Sequence, residues 1–162
     1  MFIIQHRRRR LQKTDFKRRL GLVKSGKTRV VIRKSLSNIA IQFVNFDIIG
    51  DRTVVTVTSK EIKKHGWVHS LGNVPAAYLT GLLAGRKAKR LNVNEAILDI
   101  GLQNSTKGSR IYAALKGVID SGIDIPHDEE MLPKEDRLTG KHIMGANKIT
   151  ENFEEVKKKI LG

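Results

Sequence analysis

The chain contains one stretch whose letters spell a known chemistry. Gly21-Leu22-Val23-Lys24-Ser25-Gly26-Lys27-Thr28 satisfies the phosphate-loop pattern G-x-x-x-x-G-K-[ST]. In such a loop backbone N–H groups cradle phosphates, the lysine reaches the terminal phosphates and the hydroxyl ligates magnesium. It works only between a strand and a following helix, whose N-terminus points at the phosphates. Here the order is reversed, with a helical period before and a β-branched run after. A nucleotide hydrolase built on residues 21–28 is therefore the disfavoured alternative. Lys24, Lys27 and Thr28 read instead as part of a basic patch. His65 and His69 are four apart, but Gly66 between them argues against one helix face, and no third ligand is near, so no zinc site is expected. With no cysteine, disulfides and thiolate chemistry are excluded. No metal or cofactor is expected.

What the residue types favour is a polyanion. Residues 7–34 hold 13 of the 31 Lys and Arg: Arg7, Arg8, Arg9, Arg10, Lys13, Lys17, Arg18, Arg19, Lys24, Lys27, Arg29, Arg33 and Lys34. Against them stands Asp15 alone, so this segment carries +12 of the net +15. Such a surface repels itself unless neutralised. Nucleic acid does this with a gain in entropy, because each phosphate contact releases a condensed counterion. A polybasic membrane anchor would want large apolar residues or a lipidation signal beside the charges, and no run of 18 apolar residues exists. The opening apolar run is too short for a signal peptide. Aromatics are only 5% and none interleaves the arginines, which disfavours base stacking along a single strand. Shape and backbone recognition of folded RNA suits this surface better.

Elements must aim these cations. Residues 1–12 lack periodicity and read as an extended arm, disordered until bound. Thr14 is expected to cap a helix through Val23, ended by Ser25-Gly26. Arg29–Lys34, Ile39–Phe46 and Thr53–Thr58 read as strands on short turns, an antiparallel meander. Ser59 is expected to cap a short helix Lys60–His65. Pro75 opens a helix with Ala76, Leu79, Leu82 and Leu83 on its buried stripe, where Gly81 and Gly85 would allow close approach to a sheet. Ala96–Ile100 reads as a strand buried on both faces. Ser109 opens a further helix with Ala114, Leu115, Val118 and Ile119 inward, and Ile123–Ile125 a last strand. Ile149, Phe153, Val156 and Ile160 make the stripe of a terminal helix over 150–161. Phe43, Phe46 and Tyr112 are assigned to the core, while Trp67 is ambiguous.

The expected fold is α/β: a mixed five-stranded sheet with helices on both faces, a basic N-terminal arm and a C-terminal helical tail. The parts are a basic arm (1–13), an α/β RNA-binding domain (14–126) and a C-terminal extension (127–162). This strand order resembles the ribonuclease-H-like architecture. A two-metal nuclease needs several converging carboxylates. Strand Arg29–Lys34 has none, and Asp99 reads as a backbone-binding or capping residue. Asp128, Glu129, Glu130, Glu135 and Asp136 read as a solvated run. Lys107-Gly108-Ser109-Arg110, at a helix start, reads as a phosphate contact.

Three segments, RRRRLQKTDFKRRL, GNVPAAYLTGLLAGRKA and LDIGLQNSTKGSRIYAALKGVIDSGIDIPHDEEMLPKEDRLTGKHI, together resemble the archaeal and eukaryotic form of large-subunit ribosomal protein eighteen, a 5S-rRNA-binding family. The resemblance covers roughly residues 6–145. It implies a three-layer α/β/α domain and a structural, non-enzymatic role in the large subunit in the cytoplasm. There the protein would bridge 5S rRNA to 23S rRNA in the central protuberance, beside ribosomal protein five. It further implies that Arg7–Arg10, Lys13, Lys17, Arg18 and Arg19 lie along RNA. Arg33, Lys34, Ser35 and Asn38 would touch 5S rRNA, and Lys107–Arg110 would face RNA from another loop.

Overall fold

The computed structural model describes residues 4–143 and 146–162. Residues 1–3 of the expected arm and 144–145 of the polar C-terminal segment lie outside the described residues. Three β-branched runs form the meander as expected. β1 (Arg29–Lys34) pairs antiparallel with β2 (Ile39–Asn45), and β2 with β3 (Arg52–Thr58). β4 (Ile97–Asp99) adds parallel to β1, giving a mixed sheet in the order β3-β2-β1-β4. The described sheet therefore has four strands, not five. Ile123–Ile125 contributes only a parallel bridge between Glu95 and Asp124, because Ala96 N–H and Asp124 N–H make the sole ladder bonds before Pro126. β4 stands at the sheet edge with Ile97 and Leu98 half-buried, which corrects its expected burial on both faces.

Alternation divides the sheet. Val30, Ile32, Ile39, Ile41, Phe43 and Val57 point to one face and are essentially inaccessible. That face is covered by α3 (Val74–Arg90) and α4 (Arg110–Asp120). Asn73 caps α3 by accepting from Ala76 N–H at 2.9 Å, with Pro75 in the first turn where no N–H is needed. Gly81 of α3 meets α4 rather than the sheet. A Cβ on Gly81 would collide with the Ala114 carbonyl, and one on Gly117 with the Tyr78 carbonyl, so the two backbones touch through paired glycines.

α6 (Ala146–Leu161) begins earlier than expected and lays Ile149, Phe153, Val156 and Ile160 onto the same core, against α3 and the 3-10 helix Ser59–His65. Trp67, 2% exposed, joins that core and donates its indole N–H to the Ser70 carbonyl. Phe46 does not, being 52% exposed just past the last paired residue of β2. Two expected caps also shift by one residue. Thr58 N–H donates to Glu61 Oε1 at the 3-10 helix, leaving Ser59 buried and accepting from Ile39 N–H. α2 (Phe16–Lys24) is capped by Asp15, not Thr14. A short α5 (Glu135–Thr139) links α4 to α6.

Candidate nucleic-acid interface

The second face of the sheet holds the cations. Arg29, Val31, Arg33, Gln42, Val44 and Thr53 point away from α3 and α4, and α2 stands over them. Asp15 fixes that helix by accepting from Lys17 and Arg18 N–H groups at 3.0 and 3.1 Å. Ahead of it the arm is not extended throughout. Arg7–Arg10 makes one helical turn, α1, and all four side chains are exposed. Arg8 Nε donates to Thr14 Oγ1 at 2.8 Å, and His6 lies 5.9 Å from the Phe16 ring, so the turn folds back on the start of α2. Lys13, Lys17, Arg18 and Lys24 are exposed. With Arg7–Arg10 they give the arm and α2 eight exposed cations.

Between α2 and the sheet lies a cleft of about 600 Å³. Its floor is an ion network that sequence reasoning did not anticipate. Asp51, in the β2–β3 loop, accepts from Arg19 at 2.9 Å and Arg29 at 2.5 Å. Asp99, 7% exposed, accepts from Arg29 at 3.2 Å and Arg33 at 3.1 Å, and takes the Gly101 N–H at 2.9 Å. Asp99 thus binds backbone as expected, but chiefly it neutralises arginines. Arg29 is only 3% exposed, and this departs from its expected place against RNA: its charge is spent within the protein. Its Nε is buried without a hydrogen-bond partner. Arg33 stays 42% exposed and available.

The other expected contacts are partly engaged. Ser35 and Asn38 build the β1–β2 turn on each other, with Ser35 N–H donating to the Asn38 carbonyl at 2.8 Å and Asn38 N–H to Ser35 Oγ at 3.0 Å. Leu36 stands at its tip, 97% exposed, and Lys34 is half-buried. Arg110 donates to the Leu36 and Gly72 carbonyls at 3.2 and 2.8 Å, tying this turn to the start of α4. Lys107 pairs with Glu130 on the surface at 2.9 Å, while Gly108 N–H donates to the Met131 carbonyl. Ser109 Oγ is buried without a partner. The Lys107–Arg110 loop is therefore held by the protein, with the Lys107 side chain left 64% exposed.

The phosphate-loop letters do not make a phosphate loop. Gly21 through Lys24 lie inside α2, and β1 follows. Lys27 Nζ reaches Glu95 Oε2 at 2.7 Å, a carboxylate that holds the exposed ammonium above its ordinary pKa by hydrogen bond and charge. Thr28 Oγ1 donates to Asn45 Oδ1. Among the described residues no three His, Asp or Glu converge as metal ligands, and no helix is long and apolar enough to cross a membrane.

A second basic surface went unread in the sequence. Lys60, Lys63 and Lys64 of the 3-10 helix and Lys158 and Lys159 of α6 are exposed. Asn152 Nδ2 pins the two helices together by donating to the Gly66 carbonyl at 3.0 Å. The available signal was the lysine clusters at two helix C-termini, where the helix dipole alone is sufficient reason for them.

The chain matches the family model for ribosomal large subunit proteins 60S L5 and 50S L18 over residues 1–95 and 89–128. It is 49% identical over 161 residues to the large ribosomal subunit protein uL18 of Methanothrix thermoacetophila, covering 98% of this chain and 95% of that one. It is 54% identical over 149 residues to that of Korarchaeum cryptofilum, covering 91% and 76%, and 49% identical over 158 residues to that of Methanococcus maripaludis, covering 97% and 82%.

Proposed function

The chain belongs to the family of large-subunit ribosomal proteins that comprises 60S L5 and 50S L18, and from that premise we propose that it is a structural constituent of the large ribosomal subunit that binds 5S rRNA and links it to 23S rRNA in the central protuberance. It is a cytoplasmic, non-enzymatic member of a ribonucleoprotein, with ribosomal protein five as a neighbour. The observation that carries the RNA-binding part is the cationic side of the molecule. Arg7–Arg10, Lys13, Lys17, Arg18 and Lys24 are exposed side by side along the arm and α2, with Arg33 at the cleft below. A short, partly folded arm that presents arginines neutralises phosphates without reading base edges. The proposed contact set keeps these residues with Arg19, Lys27, Lys34, Ser35, Asn38, Lys107, Gly108, Ser109 and Arg110. Arg29 supports the set from beneath.

The sheet order β3-β2-β1-β4, with Glu95–Asp124 marking a fifth position beside β4, supports a ribonuclease-H-like topology serving as scaffold rather than catalyst. The test is direct titration with 5S rRNA, against duplex DNA of equal length, over a range of salt. The expected result is preference for 5S rRNA with affinity falling steeply as salt rises. Equal affinity for the duplex would refute specific 5S rRNA recognition.

A further inference from the structure

We propose that the cleft between α2 and the open sheet face receives one unstacked nucleotide of the bound RNA, its base lying against the plane of the Arg33 guanidinium. This deepens the proposed RNA-binding reading and rests on it. The cleft, at about 600 Å³, falls within the range of small-ligand sites, roughly 300–1,000 Å³. Its lining is divided by chemistry. Val31, Val44, Leu22 and Leu98 offer an apolar wall. Arg8, Lys13 and Arg18 stand at the arm and helix side. A nucleotide has the same two parts, a flat base and an anionic phosphate.

Arg33 is the element that makes the cleft more than a gap. Its Nη1 donates to the Ile32 and Asp99 carbonyls at 3.0 and 2.7 Å, and its Nη2 to Asp99 Oδ1 at 3.1 Å. These bonds fix the plane. Gly101, at φ +63°, backs it: a Cβ there would lie 2.9, 3.0 and 3.3 Å from Nη2, Cζ and Nη1. Near-equal distances to three guanidinium atoms place that point over the face, not at the edge. The side chain nevertheless remains 42% exposed and lines the cleft. A guanidinium held in plane, supported from one side and still accessible, is a platform on which a splayed base stacks. The three carboxylates of the lining do not repel a phosphate strongly, since Asp15, Asp51 and Asp99 each already face an arginine.

Two variants of the full chain test this by 5S rRNA titration over a range of salt. Arg33→Lys keeps the charge but loses the plane, and Gln42→Trp puts an indole into the cleft from the register position diagonal to Arg33, where it competes with the base for the guanidinium. Each should weaken 5S rRNA binding about tenfold, in the range of one lost base stack, with the slope of log affinity against log salt unchanged. Melting curves report whether either variant loosens the fold, and if one does, the other decides alone. Wild-type affinity in Gln42→Trp, or a loss seen only as a shallower salt slope, overturns the cleft while leaving the 5S rRNA reading intact. Absence of 5S rRNA binding by the wild-type chain would overturn both. Adenosine monophosphate serves as the free-nucleotide arm: tight binding of it at Arg33, with RNA affinity indifferent to Gln42→Trp, would make this a free-nucleotide site and refute the inference.

Discussion

Arg29 of β1 and Asp99 of β4 meet at 3.2 Å across a parallel strand pair, with side chains only 4% and 10% exposed. They are diagonal neighbours, since Arg29 pairs with Ile97 and Val31 with Asp99. The pair closes the edge of the sheet beneath the cationic side. It also removes from that side a cation that composition alone would have counted as free.

Removing Arg29 takes a buried counter-charge from both Asp51 and Asp99 and leaves them only Arg19 and Arg33. Arg29→Ala should destabilise the fold by about 3 kcal/mol, measured by urea unfolding. The folded fraction should keep its 5S rRNA affinity. Arg18→Ala should do the reverse, with unfolding unchanged and RNA affinity reduced at low salt, because its side chain is 69% exposed. Equal stability of both variants would show that burial does not distinguish them.

The seam between α3 and α4 has no room for a methyl group. Gly81→Ala and Gly117→Ala should each cost about 3 kcal/mol, at the upper end for overpacking, since the obstructing atoms are backbone carbonyls that cannot rotate away. Gly21→Ala, on exposed α2 with nothing near its Cβ position, should raise stability slightly through helix propensity. Thermal melts of the three variants check both signs.

Acid should loosen the 3-10 helix. Burial pushes the Glu61 carboxyl up, but the Lys87 hydrogen bond, the Thr58 N–H and the charges of Lys87 and Lys64 outweigh it and hold it below its ordinary value. A carboxyl depressed in the folded state adds stability above its unfolded pKa, and that stability is lost as pH falls through the folded value. The wild-type chain should therefore lose stability from about pH 4.5 downward relative to Glu61→Gln. Parallel urea titrations as a function of pH measure it, and coincident curves would remove Glu61 from the account.

The arm should matter to RNA and not to the core. Deleting residues 1–13 removes Arg7–Arg10 and Lys13, all exposed. The melting transition should stay in place while the salt slope of 5S rRNA binding becomes shallower by up to about 4 units. A lowered melting temperature would mean that the Arg8–Thr14 and His6–Phe16 contacts stabilise the domain.

α6 should prove integral rather than appended. Phe153 is 2% exposed and packs at 5.5 Å, between ring centroids, on Tyr78. Phe153→Ala should cost about 3–4 kcal/mol in a single cooperative transition. Two separate transitions would instead mark the tail as an independent unit.

Local chemistry made much of this legible in advance. Alternating β-branched runs placed β1, β2 and β3 within a residue of their ends. The proline before Ala76, and the stripe at Ile149, Phe153, Val156 and Ile160, placed α3 and α6. The excess of cations over residues 7–34 pointed to a polyanion, and the absence of a strand before Gly21 counted against a phosphate loop. Those signals depend on near neighbours in the chain, so the chain order contains them. Which cations are spent within the protein depends on partners far away: Asp99 is 70 residues from Arg29, and Asp51 is 32 from Arg19. The same distance in sequence hid the glycine contact between α3 and α4, the reduction of the fifth strand to a bridge, and the plane of Arg33 on Gly101. Charge and periodicity are properties of the chain, whereas ion pairing and close approach arise only when folding brings distant segments together.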